Sequence, residues 1–129
     1  MADRLRMEAS AGGGPMSYVV PVTDATYRAR VVESPTPVLL VFLPSGGEVR
    51  RAFAPVLAEV AQRLGDGLLV ATVDVATNPV TTRAWGVTQT PTSVLFDQGV
   101  MQRVLLGVRP ADRLVEEIEQ AVGPSIATP

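Results

Sequence analysis

The spacing of apolar residues changes near residue 44, and that change predicts the central unit of the chain. Residues 38–43 are all apolar, too few for a helix and rich in strand formers, which predicts a strand buried on both faces. Residues 44–47, Pro-Ser-Gly-Gly, break the run. Over residues 48–64, apolar side chains recur every three or four positions, as on one face of an amphipathic helix. We therefore expect a buried strand, a Gly-rich turn and a long helix at the centre of the fold.

The same spacing rules predict the remaining elements. Strands are predicted over residues 18–22, 68–74, 92–96 and 100–106, the last two joined by a hairpin turn at Asp97-Gln98-Gly99. Helices are predicted over residues 25–33 after the capping pair Thr23-Asp24, over residues 79–85, and from Pro110 to a stop at Gly123-Pro124. The resulting order, β-α-β-α-β-α-β-β-α, predicts a three-layer α/β sandwich around a mixed sheet.

Domain boundaries follow from composition. Residues 1–17 contain the run Gly12-Gly13-Gly14-Pro15 and are predicted to form a flexible tail. Residues 18–122 are predicted to fold as one domain, and residues 123–129 to be loose. Within the domain, Pro55 is expected to kink the long helix, because it lacks the amide that the helical ladder requires.

Composition excludes several kinds of chemistry. The 129 residues include no cysteine and no histidine, so no disulfide, thiolate nucleophile, Cys/His zinc site or Ser-His-Asp triad can form. The net charge is −2, without the basic stripe of a nucleic-acid binder. No apolar run reaches membrane-spanning length. We therefore expect a cytoplasmic protein that uses no cofactor or metal and binds neither nucleic acid nor membrane.

Four motifs keep fixed distances from one another. They are residues 52–57 (Ala-Phe-Ala-Pro-Val-Leu), Val73-Asp74-Val75 followed by Asn78-Pro79, Trp85-Gly86-Val87, and Thr90-Pro91-Thr92. Their identities and gapless spacing resemble those of the thioredoxin family over residues 18–122, and Gly99 and Gly107 fit the same pattern. The resemblance implies a thioredoxin-like fold with a cis peptide bond before Pro91.

The chain departs from that family at the redox site. Gly47-Glu48-Val49-Arg50 stands where thioredoxins carry Cys-Gly-Pro-Cys. Gly46 replaces the preceding tryptophan, and Val41 replaces the buried aspartate that the family associates with proton transfer. Thiol–disulfide exchange needs an attacking and a resolving thiolate, and both are missing. We therefore expect no thiol–disulfide oxidoreductase activity and no other catalysis.

The resemblance also implies a groove built by three loops, at residues 45–50, 89–91 and 106–108. Its candidate contact residues are Ser45, Glu48, Gln89, Thr90, Pro91, Gly107 and Val108. With Pro91 in cis, the backbone of Thr90 would be available to pair with an extended partner strand. The first hypothesis is thus a protein-binding, chaperone-like or accessory subunit whose partner is another protein or an extended peptide.

Two other hypotheses stay open. The turn at residues 46–51 begins a helix, where free amides together with Arg50 and Arg51 could hold an anion, or where Glu48 could act as an internal anion. Because Arg50 replaces a family cysteine that tends to be shielded, its guanidinium is expected either to extend outward or to pair with Glu48. The other hypothesis is a structural domain with a vestigial site. Under all three hypotheses, Asp74 is expected to cap the loop that follows it, and Trp85 is expected to pack on the short helix.

Overall fold

The computed structural model of the protein describes residues 18–127, with side chains described for residues 18–124. The tail predicted over residues 1–17 and the last two residues of the predicted loose end lie outside the described residues.

The described residues form five strands and three α-helices. The strands are β1 (Val19–Pro21), β2 (Val38–Leu43), β3 (Leu69–Asp74), β4 (Thr92–Asp97) and β5 (Val100–Leu106). The helices are α1 (Glu48–Leu64), α2 (Pro79–Ala84) and α3 (Ala111–Ala127). A π-helical segment at Arg28–Val32 and a 3-10 turn at Gly65–Gly67 complete the order predicted from the sequence.

The strands form one mixed sheet in the order β1-β3-β2-β4-β5. β1 and β2 run parallel to β3, whereas β4 runs antiparallel to both β2 and β5. All six residues of β2 are buried, as predicted, because this strand has a hydrogen-bonded neighbour on each side and side chains packed on each face.

Two apolar cores cover the two faces of the sheet. On one face, alternate β2 residues such as Val41 pack with Phe53 and Leu57 of α1 and with Leu114 and Ile118 of α3. On the other face, residues such as Phe42 pack with Val31 of the π-helical segment, with Phe96 and with Trp85. The indole of Trp85 donates to the Tyr27 hydroxyl at 2.9 Å and meets the Phe96 ring edge-on. The three-layer α/β sandwich is confirmed, whereas Trp85, which was expected to pack on the short helix, packs on the sheet against Phe96 and bonds Tyr27.

The first predicted helix is wrong in length and type. Helical backbone begins only at Tyr27, and Arg28–Val32 is π-helical, with the Glu33 amide bonding the Arg28 carbonyl five residues earlier at 2.9 Å. The residues before it form a turn, in which the hydroxyls of Thr23 and Thr26 each accept the other's backbone amide, at 3.3 and 2.9 Å. Thr23 therefore stabilises a turn instead of starting a long helix, and Asp24 is directed elsewhere.

The last helix breaks beside its predicted stop at Gly123-Pro124, and a second helical segment follows. The helical torsions break one residue earlier, at Val122 (φ −132°, ψ 21°), and helical backbone resumes as far as Ala127. Pro124 fits this break because a proline is tolerated in the first turn of a helical segment, where its missing amide is not needed. α1, by contrast, continues from Glu48 to Leu64 with Pro55 inside it, and the kink there stays a prediction.

The β4–β5 hairpin closes through two residues with positive φ, Gln98 (51°) and Gly99 (80°). A Cβ atom at Gly99 would lie 2.7 Å from the carbonyl oxygen of Val32, which is too close for any side chain. The hairpin turn therefore packs directly against the end of the π-helical segment, and glycine is required there.

Asp24 joins the segment after β1 to the start of α2. Its carboxylate accepts the amides of Val80 and Thr81 at 3.2 and 2.8 Å and the Thr81 hydroxyl at 2.7 Å, while its own amide donates to the Asn78 side chain at 3.0 Å. Partial burial acts to raise the pKa of Asp24. The hydrogen bonds from Thr81 and Val80 outweigh that effect, so the pKa lies below its ordinary value. Asp24 thus caps a helix more than fifty residues away in sequence.

α1 begins after a backbone conformation that only glycine adopts readily. Gly47, the residue before the helix, has φ 93° and ψ −176°, and no side chain bonds the free amides of the first turn. A Cβ atom would meet nothing within 4 Å at either Gly46 or Gly47, so space is not the constraint. The torsion at Gly47 is the constraint, because a side chain is strained there.

Replacing Asp24 should destabilise the fold in a pH-dependent way. Asp24→Ala removes the cap of α2, so we expect a melting temperature a few degrees lower at pH 7. A lowered pKa stabilises the fold only while the carboxylate is ionised, so this stabilisation is lost as the pH falls below about 4. Thermal denaturation of both proteins from pH 7 to pH 3 should therefore show the difference shrinking in acid. Asp66→Ala, at an exposed aspartate, is the control that should behave like the wild type; a constant difference across the pH range would contradict the capping role.

The two glycines before α1 should respond differently to alanine. Gly47→Ala should lower the free energy of unfolding by about 1–3 kcal/mol, because the new side chain is strained at positive φ. Gly46→Ala is the matched control and should change it by less than about 1 kcal/mol. Urea denaturation measures both values, and equal effects at the two positions would contradict the strained conformation of Gly47.

Candidate functional site

The three loops predicted to form a groove leave the same end of the sheet. β2 ends at Leu43 and β5 ends at Leu106, while β4, antiparallel to both, begins at Thr92. In the register of the sheet, Thr92 lies beside Phe42 on one side and Leu106 on the other. The Gly107 amide also donates to the Pro91 carbonyl at 2.9 Å. Residues 89–91 therefore lie between the other two loops.

The loop before β4 has the conformation that the resemblance implied. The Thr90-Pro91 peptide bond is cis. Pro91 is buried, Thr90 is half-buried and Gln89 is exposed. The Thr92 hydroxyl donates to the Gln89 carbonyl at 2.7 Å, which holds the loop against the start of β4.

A cavity of about 370 Å³ opens beside this loop. Its lining is uncharged and consists of two aliphatic residues with hydroxyl and amide side chains: Val75, Thr82, Val87, Thr88, Gln89 and Thr90. Only Gln89 and Thr90 were identified as site residues from the sequence. Val75 and Val87 belong to the motifs that carry the family resemblance, but a motif does not disclose a cavity. An uncharged side chain of a bound molecule is the chemistry that this lining suits.

On the other side of Pro91 the surface is aliphatic. Leu106 and Val108 have 53% and 49% of their surface exposed, and Gly107 lies between them with φ 87°. Gly107 and Val108 were both identified from the sequence. The loop at residues 106–108 therefore offers apolar surface next to the loop that carries the cavity.

The turn that replaces the redox motif presents few reactive groups. Ser45, Gly46, Gly47 and Glu48 are exposed, whereas Val49 and Arg50 are half-buried. Arg50 Nη1 donates to the Pro44 carbonyl at 2.9 Å. No salt bridge joins Arg50 to Glu48 within residues 18–124, so the pairing considered from the sequence is wrong. The guanidinium folds back over the turn instead.

Asp74, at the end of β3, bonds both the turn and its own loop. It accepts the Ser45 hydroxyl at 2.8 and 2.9 Å through its two oxygens, and the Ala76 amide at 2.9 Å. The Ser45 bond is the main cause that lowers the pKa of Asp74; partial burial opposes it, and the Ala76 amide and the positive charge of Arg50 add to the lowering. The predicted loop cap is confirmed. A carboxylate held ionised in this way is a poor proton acceptor, so the Ser45–Asp74 pair is unsuited to activating a nucleophile.

The buried central strand beneath the turn lacks an ionisable group. Val41 is fully buried and pairs with Thr72 on β3 and Ser93 on β4. The Ser93 hydroxyl is buried and has no hydrogen-bond partner within the described residues. Aliphatic packing therefore occupies the position from which a buried carboxylate would exchange protons with the turn.

Other candidate sites are absent or far from these loops. Over residues 18–127, no three acidic, histidine or cysteine side chains are close enough together to hold a metal ion. Over the same residues, no helix has the length and apolar character needed to cross a bilayer. A second cavity of about 380 Å³ lies at the opposite end of the sheet, between Tyr18, Gln62, Asp66 and Leu68, and contains none of the residues identified from the sequence.

Comparison with known proteins agrees with the fold. The family model described as Thioredoxin matches residues 18–120. A protein named Thioredoxin from Mycobacterium tuberculosis (strain H37Rv) is 35% identical over 106 residues, which cover 82% of this chain and 91% of that protein. Thioredoxin from Mycolicibacterium smegmatis is 36% identical over 108 residues, covering 82% and 96%. Thioredoxin 1 from Synechococcus elongatus (strain PCC 7942) is 32% identical over 105 residues, covering 81% and 98%.

The match extends over nearly all of the described residues, and the sheet order, the helix positions and the cis bond before Pro91 agree with it. With no cysteine in its 129 residues, the chain lacks the dithiol on which thioredoxin redox chemistry depends. The chain belongs to the thioredoxin family, as a member without the redox cysteines.

Proposed function

We propose that this chain is a redox-inactive binding subunit, chaperone-like or accessory in role, which holds an extended segment of another protein in the groove formed by residues 45–50, 89–91 and 106–108. The observation that carries the proposal is the uncharged cavity beside Thr90, with the exposed aliphatic side chains of Leu106 and Val108 on the other side of Pro91.

An extended segment matches this arrangement. Successive side chains of an extended chain point to opposite sides, so one can enter the cavity while its neighbours contact the aliphatic loop. Main-chain hydrogen bonds then supply affinity and the side-chain pocket supplies selectivity. The lining of Val75, Val87 and four uncharged polar residues favours a partner side chain that is apolar and carries no charge.

Binding rather than catalysis accounts best for the groups around the groove. Asp74 is held ionised, the Ser45 hydroxyl donates a hydrogen bond to Asp74, and Arg50 bonds a backbone carbonyl. Each of these side chains is hydrogen-bonded within the chain, which leaves none of them to act on a substrate. The proposal therefore includes the absence of enzymatic activity, and it keeps the cytoplasm as the expected compartment.

The anion-binding hypothesis has less support. Arg50 directs a guanidinium nitrogen to Pro44, so that donor is not available to a ligand at the helix start. Glu48 places a negative charge in the first turn of α1, which would repel a second anion. A structural domain with a vestigial site is distinguished from a binding subunit by the experiment below.

Site-specific photo-crosslinking in the native host should locate the partner. A benzophenone amino acid replaces Gln89 or Glu48, which are exposed residues on two of the three loops, or Gln120, an exposed glutamine on α3 as the matched control. We expect Gln89 and Glu48 to capture the same protein and Gln120 to capture none. Capture by all three positions, or by none, would contradict a partner held in the groove.

Calorimetry with the captured protein, purified, then tests the cavity. Thr90→Arg directs a charged side chain into the uncharged cavity, so the dissociation constant should rise at least about tenfold. Gln120→Arg adds the same side chain to α3 and should leave the affinity unchanged. Equal affinities for the two variants would show that the cavity is not part of the contact surface.

A further inference from the structure

The cavity at the end of the sheet opposite the groove combines apolar surface with a single charge. Its volume is about 380 Å³, and it lies where α1 ends and where β1 and β3 begin. Asp66 is the only charged residue of its lining, half of which is apolar: Tyr18, Ala61, Leu68 and Leu69. Tyr18 is 61% exposed, which makes it the one exposed aromatic side chain among residues 18–124. An apolar wall of the cavity is thus uncovered.

The electrostatics of this cavity favour a cation. No salt bridge joins the Asp66 carboxylate to a basic side chain within residues 18–124. The last carbonyls of α1, which ends at Leu64, add partial negative charge beside it. Arg63 lies in that last turn, but its guanidinium already pairs with Glu59 at 3.4 Å and with Asp112 at 2.7 Å. An occupant that suits the cavity therefore carries apolar side chains with positive charge next to them.

Residues 1–17 contain one run with this chemistry. Residues 4–7 read Arg-Leu-Arg-Met, so two apolar side chains alternate with two positive charges and no negative charge intervenes. In an extended chain, Leu5 and Met7 point to the same side. Both can enter the cavity while the two arginines extend their long stems over its rim to Asp66.

The connection of this run to the cavity favours it over a separate molecule. Tyr18, where residues 1–17 join the domain, itself lines the cavity. Ten residues separate Met7 from Tyr18, enough to span up to about 35 Å, and the glycines at positions 12–14 allow the chain to turn back. A tether of this length keeps the run at a roughly millimolar effective concentration beside the cavity. A second copy or another protein would have to compete with it.

We propose that residues 4–7 dock in this cavity of their own chain, with Leu5 and Met7 against its apolar wall and the two arginines beside Asp66. The apolar side chains supply most of the affinity, because an exposed ion pair contributes little stability. The arginines fix the position of the run at the C-terminal end of α1. The glycine run serves as the connection, and the docked segment lies at the end of the domain away from the groove.

Nuclear magnetic resonance relaxation of the full chain tests this docking. Backbone order parameters of residues 5–7 should exceed about 0.6, the value below which a backbone is flexible, while those of the glycines at positions 12–14 should fall below it. A steady fall from Tyr18 to the start of the chain, with residues 5–7 below about 0.6, would overturn the proposal. Order that is lost on dilution would assign the run to the cavity of a second copy and would overturn it as well.

Filling the cavity tests where the run docks. Gln62→Trp places a bulky ring in the cavity from an exposed position on α1, so the order parameters of residues 5–7 should fall below about 0.6. Gln120→Trp, at an exposed glutamine on α3, is the matched control and should leave them unchanged. Equal values for the two variants would place the run elsewhere and overturn the proposal. Thr90→Arg should also leave them unchanged, which separates this docking from the proposed function.

Changes within the run lie outside the folded domain, so they are decisive if Gln62→Trp fails to fold. Arg4→Glu together with Arg6→Glu introduces charges that Asp66 and the end of α1 repel, and should release residues 5–7. Arg4→Lys together with Arg6→Lys keeps the positive charge and should leave them ordered. Circular dichroism confirms that each variant is folded. Equal order in the two double variants would overturn the proposal, since the charge beside Asp66 would then have no part in the docking.

Discussion

The burial of β2 determines where every other part of the candidate site lies. Its six residues are covered on both faces and paired on both edges, so exposed groups can lie only at the ends of the strand. The turn at residues 44–47 follows one end, and α1 returns over the sheet from there. β4 and β5 place Pro91 and Gly107 at the same end through their antiparallel register. Packing alone, without any sulfur chemistry, is therefore sufficient to assemble this face.

Much of the fold could be predicted because local signals and packing agree. The bounds of β2, α1 and β5 follow from hydrophobic period, since each is a long, consistent pattern. The π-helical segment could not be predicted in that way. Asp24 looked like the cap of its own helix, but its carboxylate caps α2, and only the tertiary structure decides between the two. The break at Val122 lies one residue before the stop predicted at Gly123-Pro124, but the helical backbone that resumes after it was not predicted, because Gly-Pro usually ends a helix.

The candidate site was predictable in position and less so in chemistry. Family motifs located the turn, the cis bond and the glycine after β5, and the absence of cysteine is a plain fact of the sequence. The cavity beside Thr90 depends on side chains from β3's following loop, α2 and residues 87–90, so no single stretch discloses it. The orientation of Arg50 was also missed, because its preferred partner is a backbone carbonyl rather than a charged side chain. The turn lacks a thiol, and the positive φ of Gly47 shows that its backbone also favours glycine at that position.

Together these features describe a thioredoxin-family scaffold whose former redox face carries no thiol and which we propose holds a protein partner. The most direct test of that account is amide hydrogen exchange of the full chain with and without the protein captured at Gln89. The account predicts slower exchange in the partner's presence for the amides at residues 88–92 and 106–108, while those of α3 stay unchanged. Slower exchange on α3 or at the opposite end of the sheet, with residues 88–92 unaffected, would contradict it.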